Sequence, residues 1–176
     1  MLPEIKKILY TTNLGEGTRP VLQFAVSLAK KHDAALYLLH VVEPLSVSSS
    51  LLLEAHLSEE TAQQAKALAA KMREETSQKV LDKIKNRVER FCAEDLEATQ
   101  EEQARLFANI RVVSGSPEEA IVREAEDRDV DLIIVGSHSG TTFKRALLGS
   151  TARKVTNLSR KPVLVVPMPQ TETWGD

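Results

Sequence analysis

Two glycine turns are the residues of this 176-residue chain whose types and spacing could do chemistry. The first closes the run Asp131-Leu132-Ile133-Ile134-Val135-Gly136-Ser137-His138-Ser139-Gly140, and the second, Gly149-Ser150-Thr151, begins nine residues later. Four apolar residues in a row, three of them β-branched, suit a strand covered on both faces. Gly136 at its carboxyl end is expected to let the backbone leave the sheet in conformations other residues resist. Gly149-Ser150 stands where a helix should begin. Exposed amides at a helix start carry partial positive charge, so two such turns facing one crevice could hold phosphate without a dedicated lysine.

Other chemistry has less support. His138 has no Ser-His-Asp ordering or nucleophile elbow with it and reads as a polar loop residue. His32, His40 and His56 fall into no metal-ligand spacing with Cys92 or with one another. A Walker-type Gly-Lys-Ser/Thr is missing, and so is Gly-x-Gly-x-x-Gly after the first strand. Efficient nucleotide hydrolysis or hydride transfer would need groups this sequence does not display. The single Cys92 excludes an intrachain disulfide and reads as a packing residue near the end of a helix.

The elements that must position the turns follow from periodicity. Ile5 to Tyr10 reads as a strand and Thr11 to Thr18 as a loop ending near a helix cap. Val21, Ala25 and Leu28 then repeat at helical spacing, and Ala34 to Val42 reads as an interior strand before Pro44. Strand, helix, strand in that length implies a right-handed parallel unit. Residues 45–105 contain no Gly and many Ala, Glu, Lys and Gln, which predicts a helical insertion after a loop at Leu45 to Ser50. Its main helix is expected from about Ser58 to Ala93, interrupted at most once. Leu68, Met72, Val80, Leu81, Ile84, Val88 and Phe91 form its stripe against the sheet.

Alternation resumes with a strand over Ala108 to Val113 and a turn at Ser114-Gly115. Ser116-Pro117-Glu118-Glu119 then reads as a capping box with Pro at the first helical position. That helix runs to about Arg128. Val130 to Val135 makes the fourth strand, Ser150 to Leu158 the last helix, and Pro162 to Pro167 the last strand. Prolines are tolerated at strand starts and sheet edges, so the last strand is placed at the rim, a natural seam for a second subunit. The length suits one domain over residues 1–176. A net charge of -2 with scattered Lys and Arg argues against general nucleic-acid binding. Apolar runs are only strand-sized and no charged-then-apolar leader opens the chain, so neither membrane span nor secretory signal is expected and the default location is cytoplasmic.

A mostly parallel five-strand sheet of this kind binds ligands outside the carboxyl ends of its strands, where strand order reverses. Three segments meet that description: Thr11 to Gly17, His40 to Glu43, and Gly136 to Thr151. Together with Lys7 to Asn13, Leu38 to Val42, Gly115-Ser116-Pro117, Asp131 to His138, Leu147 to Ser150 and Lys161 to Val166, they resemble the universal stress proteins of the UspA type over nearly the whole chain outside the middle segment.

That resemblance implies an α/β fold, Rossmann-like and three-layered, with a five-stranded parallel sheet of order 3-2-1-4-5 and a homodimer joined through Val163 to Val166. In one branch it implies bound ATP or AMP, with a divalent cation only alongside the nucleotide. It also implies a stress-response role acting through an unidentified protein partner. The nucleotide-binding branch carries Gly, two residues, Gly, nine residues, Gly, then Ser or Thr. Gly136 and Gly149-Ser150 match the first and last places, whereas Ser139 stands at the second, with Gly140 following.

If Ser139 needs a left-handed backbone, strain of about 1–2 kcal/mol would cost roughly tenfold in affinity. Alternatively Gly140 absorbs the turn and Ser139 adds a hydroxyl. Asn13 replaces the family's usual Asp; it either keeps a hydrogen bond toward the base or ribose or shapes its own turn. The resemblance assigns phosphate to the amides near Gly136, Ser139, Gly140, Gly149 and Ser150, with Thr151 at the helix start, and frames the nucleoside with Thr12, Asn13 and Val41. Lys144 and Arg145 either screen phosphate or are exposed helix residues. Three functions stay open: a dimeric nucleotide-binding regulator, a same-fold adapter that has lost nucleotide through Ser139 and Asn13, and a slow ATPase or phosphotransfer enzyme.

Overall fold

Among the described residues, four of five strands begin with a residue from an aliphatic, aromatic or β-branched run, and all five pair in one direction. The computed structural model describes residues 2–15, 17–43, 59–96, 98–138 and 148–168. In chain order these form β1 (Lys7–Thr12), α1 (Thr18–His32), β2 (Ala35–Val42), α2 (Glu59–Glu94), α3 (Gln100–Leu106), β3 (Phe107–Ser114), α4 (Pro117–Asp127), β4 (Leu132–His138), α5 (Ser150–Leu158) and β5 (Val163–Met168). The sheet is parallel throughout, in the order β3-β2-β1-β4-β5. Its two faces are buried separately, one by α1 and α2 over Ile8, Tyr10, Leu36, Leu38, Ile134 and Val166. The other is covered by α4 and α5 over Leu9, Leu39, Ile133 and Val135. Burial on both faces explains the continuous apolar runs.

Strand limits differ from those expected, for a tertiary reason. β1 carries the polar Thr11 and Thr12 because β2 supplies ladder partners for them, Leu39 and His40. β4 continues past Gly136 to His138 because β5 pairs with it there, at Val166, Pro167 and Met168. Gly136 therefore does not turn the chain out of the sheet, and it is not among the positive-φ glycines. The turn at Gly115 does need glycine: its φ is 148°, and its amide donates to Val42 O at 3.1 Å.

The expected capping box at Ser116 does not form. Pro117 occupies the first position as expected, but the Ser116 side chain makes no cap hydrogen bond, and Glu118, one residue before the box position Glu119, pairs with Lys154 of α5. A complete box is found at α3, where Thr99 Oγ1 accepts from Glu102 N and the Glu102 carboxylate accepts from Thr99 N. On α4, Glu124 is buried and receives Arg111 Nη1 at 2.8 Å and Arg128 Nε, while the Arg128 guanidinium lies 4.8 Å from the centre of the Tyr37 ring. The helix is thereby tied to β2 and β3.

The long helix α2 is uninterrupted over 36 residues, and only its carboxyl half docks. Ile84, Val88, Phe91 and Cys92 are buried, whereas Leu68 and Met72 are 61% and 60% exposed and take no part in packing on the sheet. At 100° per residue Leu68 and Met72 fall on the side opposite the docked stripe, so the single apolar face expected from the sequence is two faces. Arg87, from the docked half, donates to Leu14 O at 2.9 Å and holds the β1–α1 loop. Phe91→Ala is expected to lower unfolding stability by about 3–5 kcal/mol and Leu68→Ala by less than about 0.5 kcal/mol, read from urea midpoints. Equal losses would mean that the amino half is packed.

Candidate functional site

The ladder between β1 and β4 is short: Ile8, Leu9 and Tyr10 pair with Leu132, Ile133 and Ile134. Beyond it, β1 runs on with β2 and β4 runs on with β5, so the two strands separate toward their carboxyl ends. A crevice of about 270 Å³ opens there, near the lower end of the roughly 300–1,000 Å³ typical of small-molecule pockets. Its apolar wall includes Val21, Leu39, Val41, Ile121, Val135 and Met168. Thr11, Thr12, Asn13, Thr18 and Thr151 supply polar groups, and Glu43 is the one charged residue among the described lining.

Three helices begin at this crevice. Thr18 is the first residue of α1, Pro117 the first of α4 and Thr151 the second of α5, and all three line it. None of the three has a side-chain cap, their N-cap residues being Gly17, Ser116 and Gly149. At α5 the first intrahelical bond is Arg153 N to Gly149 O, which leaves the amides of Ser150, Thr151 and Ala152 without an acceptor in the helix. Each such end carries about half a positive charge.

The loop after β1 is held from several sides. Asn13 Oδ1 accepts from Gly15 N at 2.9 Å, so the amide does shape its turn, and Thr12 Oγ1 accepts from Leu14 N at 3.1 Å. The Tyr10 hydroxyl donates to Thr18 O at 3.4 Å, and burial pushes its pKa up to about 12, so it stays neutral. His40 Nδ1–H donates to Thr12 O at 2.7 Å. Burial holds the imidazole below its usual pKa, and the bond to Thr12 opposes that only in part.

Of the residues expected from the sequence, the fold brings Thr12, Asn13, Val41, Gly136 and Thr151 to one crevice. Gly149 and Ser150 stand beside it as N-cap and first residue of α5. Gly149 has φ -55° and ψ 152°, which needs no glycine. Ser139 and Gly140 lie outside the described residues, as do Lys144, Arg145, His56 and the Leu45 to Ser50 loop. Sequence reasoning placed Glu43 in a ligand-facing segment but missed Tyr10, Thr18, Ile121 and Met168 as lining residues. Period-two alternation puts Leu164, Val166 and Met168 on one face of β5, but only the register with β4 shows that this face ends in the crevice. Among the described residues no three His, Cys, Asp or Glu gather as metal ligands, and no helix is long and apolar enough to cross a membrane.

An open parallel sheet with a crevice at its switch point defines a Rossmann-like α/β protein. The model of the universal stress protein family matches residues 4–167, and the chain belongs to that family. Universal stress protein MJ0577 of Methanocaldococcus jannaschii is 34% identical over 168 residues, covering 92% of this chain and 94% of its own. Universal stress protein YxiE of Bacillus subtilis is 30% identical over 163 residues, with 91% and 97% covered. The solved structure of MJ0577 superposes with a TM-score of 0.65 at 29% identity, over 96% of this chain and all (100%) of that one. A universal stress protein in complex with cAMP shares the fold, with a TM-score of 0.53 at 17% identity and coverage of 94% and 98%.

The His40 environment sets a pH dependence. Because the fold favours the neutral ring, this contribution to stability is fully present above the unfolded pKa of about 6.5 and is lost as pH falls through the lower, folded value. Urea midpoints are expected to be level near neutrality and to decline on acidification below that point. His40→Asn, which keeps a donor near Thr12 O, should flatten the decline; an unchanged slope would place its origin in other groups.

Proposed function

We propose that this member of the family is a dimeric stress-response regulator whose crevice takes an adenine nucleotide, ATP or AMP. The observation that carries this reading is the convergence of three helix amino ends without side-chain caps on one apolar-walled crevice. Such ends attract phosphate. The fully capped helix α3 supplies no lining residue. The apolar wall at Val41, Leu39 and Ile121 suits a planar base, with Thr12 and Asn13 near the nucleoside. Phosphates would meet the backbone amides of Ser150 and Thr151, with Gly136, Ser139, Gly140 and Gly149 completing that end as the family pattern implies. The cAMP complex of a relative is consistent with an adenine ligand in this fold.

With Glu43 the one charge among the described lining, phosphate charge would be met by backbone dipoles, and a divalent cation would enter only with the nucleotide. Ligand binding changes partner interactions only to the extent that it favours one conformation of the protein. The homodimer is proposed through the edge strand β5, which pairs with β4 alone among the described strands.

A second reading, a same-fold adapter without nucleotide, is favoured by the Asn13 Oδ1 bond to Gly15 N, which commits that oxygen to the loop. Calorimetric titration with ATP, ADP and AMP separates the two. Binding is expected and should weaken about tenfold or more in Val41→Trp, which fills the wall. No heat at about 1 mM ligand, the limit near −4.1 kcal/mol, leaves the adapter. Native mass spectrometry of the purified protein should show a dimer carrying a copurified adenine nucleotide.

A further inference from the structure

Gly136 faces Met168, the last residue of β5, across the base of the crevice. A Cβ placed on Gly136 would stand 2.7 Å from Met168 Sδ, 3.1 Å from its Cγ and 3.2 Å from Val21 Cγ2. The first distance is shorter than real Cβ contacts, so a larger residue there forces a shift. The backbone of Gly136 is ordinary strand, in register with Val166, and it makes no demand for glycine. The demand comes from packing.

Which neighbour would give way follows from what surrounds it. Val21 is completely buried in the core under α1, where packing is close to that of an organic crystal. Met168 is 7% exposed, has a flexible unbranched side chain, and lies between that core and the crevice, which both it and Gly136 line. Open volume lies on the crevice side.

We propose that Met168 forms the inner wall of the crevice, and that Gly136 is a positioning residue that serves the ligand through it, as the seat that keeps the thioether out of the ligand's space. The family pattern ties this glycine to phosphate directly. Here the same residue also acts at one remove, through a side chain from the edge strand. The ligand-binding part of the inference rests on the nucleotide reading; the seat and the wall do not.

Two measurements test it. The first is calorimetric titration with AMP. Gly136→Ala is expected to weaken binding about tenfold or more, and adding Met168→Ala is expected to return affinity to that of Met168→Ala alone. If the methyl itself blocked the phosphate, the double variant would stay as weak as Gly136→Ala, and the proposal falls.

The second needs no ligand. In a Cys92→Ala background, Thr151→Cys places one thiol in the crevice, and its labelling rate by a small methanethiosulfonate reports access. Gly136→Ala should slow labelling and Met168→Ala should restore it. Met168→Ala alone should speed labelling relative to the background, a readout that stands even where Gly136→Ala does not fold. An unchanged rate in Met168→Ala, or no slowing in a folded Gly136→Ala, overturns the proposal. Block and rescue of labelling in a protein that binds no AMP would refute the nucleotide reading and leave the seat standing.

Discussion

The three-residue ladder between β1 and β4 is the constraint on which the rest of the site depends. Parallel strands are held by evenly spaced backbone hydrogen bonds, and each strand can satisfy such bonds on two sides. β1 spends its carboxyl end on β2, and β4 spends its own on β5, so past Tyr10 and Ile134 no ladder bond joins these two strands, and Thr11 Oγ1 reaches Ile134 O only at 3.5 Å. At their amino ends they are fastened, with Asp131 Oδ2 accepting from the amides of Lys6 and Lys7 at 2.7 and 2.8 Å. A sheet closed at one end and parted at the other has a wedge in it. The helices that follow β1, β3 and β4 all start at its open end, because in an all-parallel sheet each of these strands delivers the chain to the same, carboxyl-terminal edge.

Capping follows the same division. Where a helix starts away from the wedge, at Thr99, side chains satisfy the first amides; where helices start on it, at Thr18, Pro117 and Ser150, they do not. Leaving such amides to solvent forgoes stabilisation of about 0.5–2 kcal/mol per cap. The same groups become donors for whatever enters. Stability is recovered elsewhere, by the Arg87 bond to Leu14 O, the Tyr10 and His40 bonds around the loop, and the docking of Phe91 and Val88.

Glycine at position 136 shows how one residue type can be kept for different reasons. From the sequence it is a hinge; in the fold it is an absence of volume that Met168 fills. Gly115 is the reverse case, with nothing within contact range of an added Cβ and a backbone angle that side chains disfavour. Spacing in the chain does not distinguish the two.

Much of the fold was legible because its signals are local. Strand-sized apolar runs, helical periodicity, Pro117 at a helix start and Gly115 at a turn each depend on a few neighbouring residues, and the family resemblance supplied the strand order. The sequence by itself thus determined the α/β class and the number of strands, and it nominated the segments at the carboxyl ends of those strands. Tertiary structure alone decided where β1 and β4 end, which half of α2 docks, that Glu124 is buried beneath two arginines, and that Met168 reaches the crevice. Each of those depends on contacts between residues far apart in the chain. Ladder partners, burial and close approach are properties of pairs brought together by folding, and no local pattern in one segment records what its neighbour will be.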